Sequence, residues 1–534
     1  MNFDDVVPYL CRGDFGKYQK RIYFLLCLPV ILSAFHKLSG VFLLAVPDHR
    51  CRLDNESIDS PFELSSDVLN SSFPFDMSKN EFSKCEFIKE SSNDSIELSK
   101  CLDYVWSTSK YESSAVKSFN MVCDKASWRA SADSFMMLGV FIGSYAFGDL
   151  SDKFGRRPTL ILSLFIQLLA GVSIAISPNL LTYTICRVIV GAASSGIFLV
   201  SFCLAVELVG KESRTIAGTV IQMFFSVGYL LIAFLAYFIH NWRWLQIAIT
   251  IPGLFMMSYY YIIPESTRWL LSNNKKDKAI RQIQRVADYN DLKIPQHVLD
   301  KLQTDYDIAN ENDLAERKPS LLDLFKSPYL RTKSLLIFFD WFIITGSYYG
   351  LSWSTKNLGG NDHLNFAISG MVEFPALFFL MFSLNRLGRK VILAGSMIFS
   401  GLTLLLSLVI PGDYHWLIIT LAMLGKMSIT TSYGAIYVFS AEQFPTVIRN
   451  VALGAASMSG RVGSITAPYL IFLSEYWKPA PYFIIGICVL FGGLLSTFLP
   501  ETTDEKLPET IADGERLGKD VEKSKVHEVE KLNL

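Results

Sequence analysis

Long apolar runs dominate the sequence and limit what the chain can fold into. A bilayer core of about 30 Å is crossed by about 20 apolar residues in a helix, and only a helix pairs every backbone amide within one segment. Twelve such runs lie near residues 22–46, 132–148, 159–177, 180–206, 216–239, 244–263, 334–353, 365–384, 391–410, 415–440, 451–474 and 480–499. The pattern predicts an all-α membrane protein with twelve transmembrane helices, with the lipid membrane as a partner.

Charged residues are scarce, and the two signs balance. They make up 19% of the chain, whereas soluble domains have about 25%. Lys and Arg number 49 against 50 for Asp and Glu. Because no excess of positive charge is present, nothing in the composition points to nucleic acid as a partner.

Positive charges concentrate in alternate loops. The loops after runs two, four, eight and ten carry nine Lys and Arg, and the loops after runs three, five, seven, nine and eleven carry three. Short loops rich in Lys and Arg stay in the cytoplasm, so both termini are expected inside. In the alternative, the first run is a cleaved signal peptide with its apolar region at 22–35, but cleavage would leave an odd number of helices.

The runs and loops divide the chain into five parts. These are a cytoplasmic N-terminus (1–21), a six-helix half (22–263) with an extracellular loop (48–130), a cytoplasmic central segment (264–333), a second six-helix half (334–499) and a cytoplasmic tail (500–534). The central segment contains KKDKAIRQIQRVADYN, whose apolar residues have helical spacing and predict a cytoplasmic helix. The polar end of the tail is expected to be disordered or a docking segment.

Two features support an extracellular loop at 48–130. Every N-x-Ser/Thr glycosylation sequon of the chain falls within it, at Asn55, Asn70 and Asn93. The loop also holds four of the nine cysteines, which are Cys51, Cys85, Cys101 and Cys123. An even number of cysteines in an oxidising compartment predicts two disulfides. Three connectivities are possible, and the sequence does not choose among them.

The two halves repeat three motifs at nearly the same offset. The motif pairs are FGRRP at 154–158 with LGRKV at 387–391, Glu207 and Arg214 with Glu442 and Arg449, and PEST at 264–267 with PETT at 500–503. Their offsets are 233, 235 and 236 residues. Six helices, an even number, separate each motif from its copy. The halves are therefore expected to have parallel topology about an axis along the membrane normal.

The same motifs resemble those of a known family. GDLSDKFGRRP at 148–158 and PESTRWLL at 264–271 resemble signatures of the major facilitator superfamily. PDHRC at 47–51, MVCD at 121–124 and AEQFPTVIRN at 441–450 resemble its organic cation, organic anion and carnitine transporter branch. The resemblance implies the major facilitator fold, with a large extracellular loop between the first two helices. It also implies alternating access, in which the two halves rock about a central site.

Charged residues inside the predicted helices are the first candidates for that site. A charge at the bilayer centre costs about 2.5–3.5 kcal/mol on insertion scales, so each one calls for an explanation. They are Lys37, Arg187, Asp340, Glu373, Lys426 and Arg461, with His36 beside the first. Arg187 and Lys426 occupy related places in the repeat, and in the alternative they are structural ions held by carbonyls or acids. Asp340 lies near the start of its run, and in the alternative it reaches the headgroups.

Glu373 and Arg461 lie about midway along their runs, where a side chain reaches water least easily. By resemblance, the acid in GMVEFPA at 370–376 is similar to the acid of cation and carnitine members. The arginine in SGRVGSI at 459–465 is similar to the arginine of anion and carnitine members. The mixed pair therefore resembles the pattern for a zwitterion, with Glu373 facing an ammonium and Arg461 a carboxylate. In the alternative, the two side chains neutralise each other and never touch substrate.

Aromatic residues are further candidates for the same cavity. Tyr348 and Tyr349 in the seventh run match a family position where rings contact organic cations, and a ring face attracts an ammonium group. Tyr433 and Tyr437 lie four apart on one face of the tenth run. Gln222 in the fifth run is a polar candidate. For any one aromatic residue, ordinary packing is the alternative.

Charged residues at the cytoplasmic helix ends suit a gate. They are Asp152, Arg156, Glu207, Arg214, Glu265 and Arg268 in the first half, with Arg389, Glu442, Arg449 and Glu501 in the second. Ion pairs among them can close the inner side in one state and break when that side opens. Asn385 stands where the repeat would place a second Asp152, so gates of unequal strength are expected. In the alternative, these ions only fix the topology.

These patterns favour a plasma-membrane carrier of small organic ions, with zwitterions or cations ahead of anions, acting as a monomer without a cofactor. Sodium or proton coupling, exchange and facilitated diffusion remain open. An organic anion carrier is one alternative, and a non-transporting receptor is another. An enzyme is disfavoured because no Gly-Lys pair is followed by Ser or Thr, as an ATP-binding loop requires, and no Cys/His cluster has metal-ligand spacing.

Overall fold

Helices form at all twelve apolar runs. The computed structural model describes residues 3–11, 15–53, 56–57, 60–76, 81–90, 96–210, 212–295, 298, 322–503 and 508. Within these residues, nine helices are long and apolar enough to cross a bilayer, and a tenth, Ala480–Ser496, is apolar but has 17 residues. Helices His415–Gln443 and Arg449–Phe472 also form where runs were predicted, but they are not among the nine.

We number the helices at the twelve runs in chain order. They are α1 (Lys17–Leu38), α2 (Ser127–Phe154), α3 (Arg156–Ala175), α4 (Leu180–Leu208), α5 (Arg214–Phe238), α6 (Trp242–Thr250, Pro252–Met256 and Tyr259–Ile262), α7 (Pro328–Trp353), α8 (Asp362–Met371 and Glu373–Leu387), α9 (Arg389–Ser407), α10 (His415–Gln443), α11 (Arg449–Phe472) and α12 (Ala480–Ser496). Shorter helices are Phe3–Leu10, Gly40–Leu43, Ser66–Ser72, Ala115–Phe119, Thr267–Ser272, Lys276–Tyr289 and Asp323–Lys326, with 3-10 turns at Cys123–Lys125, Ser354–Leu358 and Leu473–Glu475.

Two of the twelve helices are broken, and a proline lies at or just after a break in each. In α6 the second part begins at Pro252. In α8 the break falls at Val372, three residues before Pro375. Proline has no N–H to donate to the carbonyl four residues earlier, here that of Met371, and its ring crowds that carbonyl. The chain therefore restarts the helix at Glu373.

The helix packing repeats between the halves. In the first half α2 packs on α4, α3 on α4 and on α6, and α1 on α5; in the second half α8 packs on α10, α9 on α10 and on α12, and α7 on α11. Between the halves, α2 packs on α11 and α5 on α8. The second helix of each half thus meets the fifth helix of the other half. A twofold axis between the halves produces this pattern.

Small residues allow the closest helix crossings. A Cβ atom on Gly191 of α4 would lie 2.2 Å from the carbonyl oxygen of Met136 on α2. A Cβ atom on Gly463 of α11 would lie 2.1 Å from the carbonyl oxygen of Phe342 on α7. Only glycine permits these backbone distances, as is common for helices that pack in lipid.

The segment between α1 and α2 contains six short strands, β1 (His49–Cys51), β2 (Phe75–Asp76), β3 (Glu81–Phe82), β4 (Glu86–Glu90), β5 (Ile96–Lys100) and β6 (Tyr104–Trp106). Strands β1 and β6, β2 and β3, and β4 and β5 form three antiparallel pairs. Two disulfides, Cys51–Cys101 and Cys85–Cys123, tie the segment together. Of the three connectivities open to the sequence, the structure has this one.

Candidate functional site

Glu373 lies at the break in α8, as the first residue of its second part. Its Oε2 accepts a hydrogen bond from Ser226 Oγ on α5 at 2.6 Å, and its Oε1 accepts one from Tyr348 OH on α7 at 2.7 Å. The amino end of a helix carries partial positive charge, which favours a carboxylate there. Glu373 is 2% exposed, so these two hydrogen bonds replace the bonds to water that its carboxylate loses on burial.

Lys426 on α10 supplies the positive charge opposite Glu373. Its Nζ is 3.3 Å from Glu373 Oε1, and it donates to Ser352 Oγ at 2.5 Å and to the carbonyl oxygen of Tyr348 at 3.3 Å. It also lies 3.4 Å from the centroid of the Tyr348 ring. These contacts match the alternative in which Lys426 is held by a carbonyl and an acid. Glu373 is therefore neutralised by Lys426, and the alternative in which it pairs with Arg461 is wrong in this structure.

Arg461 on α11 is a buried cation among phenol groups. It is 9% exposed, and it lies against Tyr433, Tyr437 and Tyr349. Its Nε is buried and has no hydrogen-bond partner in the described part of the chain. Among the described residues Arg461 forms no ion pair with an acid, so its charge remains available to an anionic group.

Lys37 on α1 brings a second cation from the other half. Its Nζ lies 5.1 Å from the ring centroid of Phe198 and 5.9 Å from that of Phe225, and it is close enough to Arg461 to feel its charge. No acid pairs with Lys37 in the residues that the structure describes. His36 beside it is also buried. Arg461 and the basic side chain of Lys37 thus lie near each other between the halves, and we call the space around them the cationic region.

A row of aromatic rings borders the cationic region. Tyr348 stacks on Tyr433 with 5.2 Å between ring centroids, Tyr433 meets Tyr437 at 5.7 Å, and Tyr437 meets Trp341 at 4.5 Å. Tyr349 contacts Tyr348 at 5.2 Å. Tyr433 and Tyr437 are only half-buried, so part of each ring surface is accessible. The predicted aromatic candidates are therefore neighbours.

The remaining predicted candidates lie at different distances from this cluster. Gln222 is half-buried on α5, one turn before Ser226 and on the same face. Asp340 is 1% exposed, and its Oδ2 accepts a hydrogen bond from Ser496 Oγ on α12 at 2.8 Å. Because α7 begins at Pro328, Asp340 lies more than three turns inside the helix, where it is buried against α12.

Arg187 forms a buried salt bridge with Asp133, which joins α4 to α2. It is thus held by an acid, as the structural alternative for this residue expected. Sequence reasoning missed Asp133, which lies 240 positions before Glu373, while Arg187 lies 239 before Lys426. The repeat offset was the signal that would have identified Asp133.

Ser226, Ser352 and Tyr229 were also missed. Tyr229 OH donates to Ser369 Oγ at 3.0 Å and lies 3.2 Å from the carbonyl oxygen of Ser352. Serines and tyrosines are scattered through every apolar run, so no signal in the sequence singled these out. Only the fold places them around Glu373 and Lys426.

The predicted gate residues form one cluster in each half. Arg156 pairs with Asp152 and with Glu207, the latter at 3.2 Å, and Arg268 Nε donates to the carbonyl oxygen of Glu207 at 3.3 Å. Glu265 accepts backbone N–H groups from Arg156 at 2.9 Å and from its neighbour in sequence. Arg214 begins α5.

The second half has the corresponding cluster. Arg389 Nε lies 3.2 Å from Glu442 Oε2. Glu501 accepts the backbone N–H groups of Arg389 at 3.0 Å and of Lys390 at 3.1 Å, and Arg449 Nε donates to the carbonyl oxygen of Phe444 at 3.2 Å. The side chain of Asn385 lies outside the described residues. The described ion pairs of Arg156 and Arg389 each stay within one half.

The two corresponding acids differ in their electrostatics. Burial raises the pKa of Glu265 above its usual value and outweighs the backbone hydrogen bonds that lower it. Burial also acts on Glu501, but hydrogen bonds from Thr502, Thr503 and Arg389 outweigh it and hold the pKa of Glu501 below its usual value. The two clusters therefore differ in the electrostatics of these acids, while the unequal gate strength expected from Asn385 stays a prediction.

Contacts between the halves lie at the centre and toward the end that carries the strand-containing segment. Arg129 at the start of α2 pairs with Glu475 after α11 at 2.5 Å, and Ser134 Oγ donates to the carbonyl oxygen of Ile465 at 2.8 Å. At the centre, Ser226 of the first half bonds Glu373 of the second. The described polar contacts thus join the halves at one end and at the middle.

Asn70 is exposed in the helix Ser66–Ser72, while Asn55 and Asn93 lie outside the described residues. In the part of the chain that the structure describes, no group of three or more His, Cys, Asp or Glu side chains is arranged to hold a metal ion.

Known proteins resemble this chain along most of its length. The family described as sugar (and other) transporters matches residues 79–512. Two Drosophila melanogaster proteins, named organic cation transporter protein and organic cation transporter-like protein, are 51% and 50% identical. The first alignment covers 97% of this chain and 95% of the relative, and the second covers 97% and 93%.

More distantly related proteins and a solved structure are also similar to this chain. The human organic cation/carnitine transporter 2 is 32% identical, over 96% of this chain and 93% of its own. Among solved structures, the partially occluded inward open conformation of the xylose transporter XylE from E. coli superposes with a TM-score of 0.62 at 17% identity, covering 92% of this chain and 100% of that one. The structural likeness supports the major facilitator fold.

Proposed function

The chain belongs to the organic cation, organic anion and carnitine transporter family of the major facilitator superfamily, and from this premise we propose that it carries small organic zwitterions or cations across the plasma membrane by alternating access. Carboxylates that also carry an ammonium group, such as carnitine, are the best-matched class. Flux runs through the centre of the molecule, where α1, α5, α7, α8, α10 and α11 contribute the candidate side chains.

The cationic region carries the proposal. Lys37 and Arg461 have no acidic partner among the described residues, whereas Glu373 already has Lys426. A substrate carboxylate can satisfy the Arg461 guanidinium with two parallel hydrogen bonds. The ammonium end can then lie against the exposed parts of Tyr433 and Tyr437. Both ends of a zwitterion thus find a partner without breaking the Glu373–Lys426 pair.

A simple organic cation must use the site differently. It meets the aromatic rings, but it also meets Lys37 and Arg461, which repel it. Such a substrate needs the negative charge of Glu373, and this charge is free only if Lys426 moves away. We therefore expect zwitterions to be carried better than simple cations of similar size.

Transport follows from the unequal ends of the molecule. The contact between Arg129 and Glu475 closes one end, while Arg156 and Arg389 form their described ion pairs within separate halves at the other. In the proposed cycle this is the inward-facing state. Closing the inner side brings the two gate clusters together as the outer contact breaks.

The topology belongs to the same proposal. All twelve helices cross the membrane, both termini are cytoplasmic, and the segment between α1 and α2 is a large extracellular loop glycosylated at Asn70, Asn55 and Asn93. The protein acts as a monomer. A smaller glycosidase-sensitive mass shift in an Asn70→Gln variant than in the natural chain tests the outer location of this loop.

Uptake into proteoliposomes tests the function. The full chain is reconstituted, and the influx of labelled carnitine, tetraethylammonium and a dicarboxylate is measured. We expect saturable carnitine uptake, slower tetraethylammonium uptake and little dicarboxylate uptake. Saturable binding without flux contradicts the carrier and favours a receptor.

An organic anion carrier is the second candidate, because two unpaired cations would also hold a dianion. In that case the dicarboxylate moves fastest, and neither compound with a quaternary ammonium group is carried. Replacing sodium and imposing a proton gradient in the same vesicles decides the driving force.

A further inference from the structure

A groove of about 850 Å³ lies far from the cationic region, between the start of α3, the end of α6 and the helix Lys276–Tyr289. Its volume lies within the range of about 300–1,000 Å³ that is usual for ligand pockets. None of the candidate transport residues except Glu265 lines it. The groove is therefore a separate feature of the surface.

One wall of the groove is strongly basic. The helix Lys276–Tyr289 buries Ala279, Ile283, Val286 and Ala287 against the bundle, which turns its opposite face outward. That exposed side and the residue before the helix present Lys275, Lys278, Arg281 and Arg285 to the groove. Their spacing of three or four residues places them along one stripe, which we call the basic stripe.

The basic stripe has no acid to neutralise it among the described residues. Lys275 Nζ lies 4.2 Å from the ring centroid of Trp269, and Arg281 Nε donates to the backbone carbonyl of Asp277 at 3.1 Å. Glu265 also lines the groove, but its oxygens accept backbone N–H groups from Arg156, Arg157 and Ser266. The stripe thus carries four positive charges that form no ion pair among the described residues.

The opposite wall is apolar and exposed. Phe154 is 65% exposed, Phe165 46% and Tyr260 55%. Phe154 and Tyr260 lie at helix ends, at the expected boundary between acyl chains and headgroups, while Phe165 lies midway along α3. Arg157 lies between the two walls, with its guanidinium 5.1 Å from the ring centroid of Tyr260, and its buried Nε has no hydrogen-bond partner in the described residues.

An apolar wall at the membrane boundary that faces a row of cations matches one kind of molecule. We infer that the groove binds an acidic phospholipid of the cytoplasmic leaflet, with its phosphate groups on the basic stripe and Arg157, and its acyl chains along Phe165 and Tyr260. Clusters of four or more Lys and Arg at the cytoplasmic membrane surface attract such lipids. The inference rests on the proposed orientation, which places this end of the bundle in the cytoplasm.

The test uses the full chain purified in a neutral detergent. Its thermal unfolding midpoint is followed while dioctanoyl phosphatidylinositol bisphosphate is added, with dioctanoyl phosphatidylcholine and free inositol trisphosphate in parallel. A ligand that binds only the folded protein raises the midpoint. We expect a saturable rise with the acidic lipid, little rise with the neutral lipid, and a weaker response to the free headgroup.

Two double variants locate the binding. Lys278→Gln with Arg285→Gln removes two charges of the basic stripe and is expected to lower the affinity for the acidic lipid by about tenfold or more. Arg331→Gln with Arg386→Gln removes two exposed charges outside the groove and is expected to leave the affinity unchanged. An unfolding midpoint without lipid that equals that of the natural chain shows that each double variant folds.

Several other outcomes overturn the inference. Equal loss in both double variants indicates nonspecific attraction, and equal binding of the free headgroup indicates a site for soluble phosphates. Binding that appears only after the acids within residues 300–316 are changed to amides shows that the chain's own acidic segment occupies the groove. If uptake fails while lipid binding persists, the proposed function fails and the lipid site stands. If lipid binding fails while uptake persists, only the lipid site fails.

Discussion

Lys426 and Glu373 form a buried ion pair, with 3.3 Å between Nζ and Oε1, at the positions where the first half has Arg187 and Asp133. In each half the pair joins the fourth helix to the second. In the second half the acid also bonds Ser226 across the interface between the halves. The repeated pair thus holds each half together, and in one half it also reaches the partner half.

The first prediction concerns this pair. Lys426→Gln leaves Glu373 without its cation, and breaking a buried ion pair by removing one partner costs about 3–5 kcal/mol. We expect a clear fall in the unfolding midpoint. The variant Glu373→Gln/Lys426→Gln removes both charges and is expected to regain much of the loss. Equal midpoints for the single and double variants would show that the charges do not interact.

The second prediction concerns Arg461. Arg461→Gln removes the charge-assisted hydrogen bonds to a substrate carboxylate, which are worth about 1.5–3 kcal/mol, or roughly ten- to hundredfold in affinity. Uptake of carnitine is expected to show a KM raised by that factor. Uptake of tetraethylammonium is expected to rise or stay constant, because a repelling charge is lost.

Arg461→Lys separates charge from geometry. Lysine keeps the charge but offers no planar pair of donors, so we expect an intermediate KM for carnitine. Arg331→Gln is the matched control, since Arg331 is exposed at the start of α7. If tetraethylammonium and carnitine lose uptake equally in Arg461→Gln, this arginine has a structural role instead.

Sequence reasoning located the ions of the site, but it did not assign their partners. Hydropathy identifies Glu373 and Lys426 because a charge in an apolar run is conspicuous. It does not show that they pair, since α8 and α10 meet only through the fold. The same holds for Arg461, whose phenol neighbours come from α7 and α10.

Features of the fold were easier to predict from the sequence than the contacts of the site. The repeat of FGRRP and LGRKV anticipated two halves that pack alike, because equal sequence at equal spacing gives equal helix contacts. The break in α8 was not anticipated, although Pro375 stood in the sequence as its signal. The cysteine pairing could not be predicted from the sequence, because spacing alone does not fix which strands meet.

The third prediction compares the corresponding acids of the two gate clusters. The pKa of Glu501 is held below its usual value, so its carboxylate adds stability at neutral pH that is lost as the pH falls through the lowered pKa. Glu501→Gln should therefore lower the unfolding midpoint at neutral pH. The difference from the natural protein should shrink as the pH falls below about 4.3, the usual glutamate value.

Glu265 is expected to behave in the opposite way. Because burial raises its pKa, the fold penalises the carboxylate as the pH rises from the usual value through the raised one. Glu265→Gln should leave the midpoint at neutral pH unchanged or higher, and it should match the natural protein at low pH. Parallel pH profiles for the two variants would contradict the contrast.

The fourth prediction concerns the disulfides. The structure pairs Cys51 with Cys101 and Cys85 with Cys123. Cys51→Ser/Cys101→Ser should expose no additional thiol to labelling of the unfolded chain, because both partners are gone. Cys51→Ser/Cys85→Ser should expose two, one from each broken bond. The opposite labelling pattern would indicate another connectivity.

The fifth prediction concerns Pro375 and the position of Glu373. In Pro375→Ala the new N–H can donate to the carbonyl of Met371, so α8 gains a hydrogen bond and its break closes. A continuous helix rotates Glu373 away from Tyr348 and Ser226, which now bond it at 2.7 and 2.6 Å. We expect a slower maximal uptake rate with an unfolding midpoint that is unchanged or higher. Pro468→Ala, at a proline inside α11, is the control for removing a helix proline elsewhere. If both variants slow uptake equally, the break in α8 does not position the acid, and the restart of the helix at Glu373 has no special part in transport.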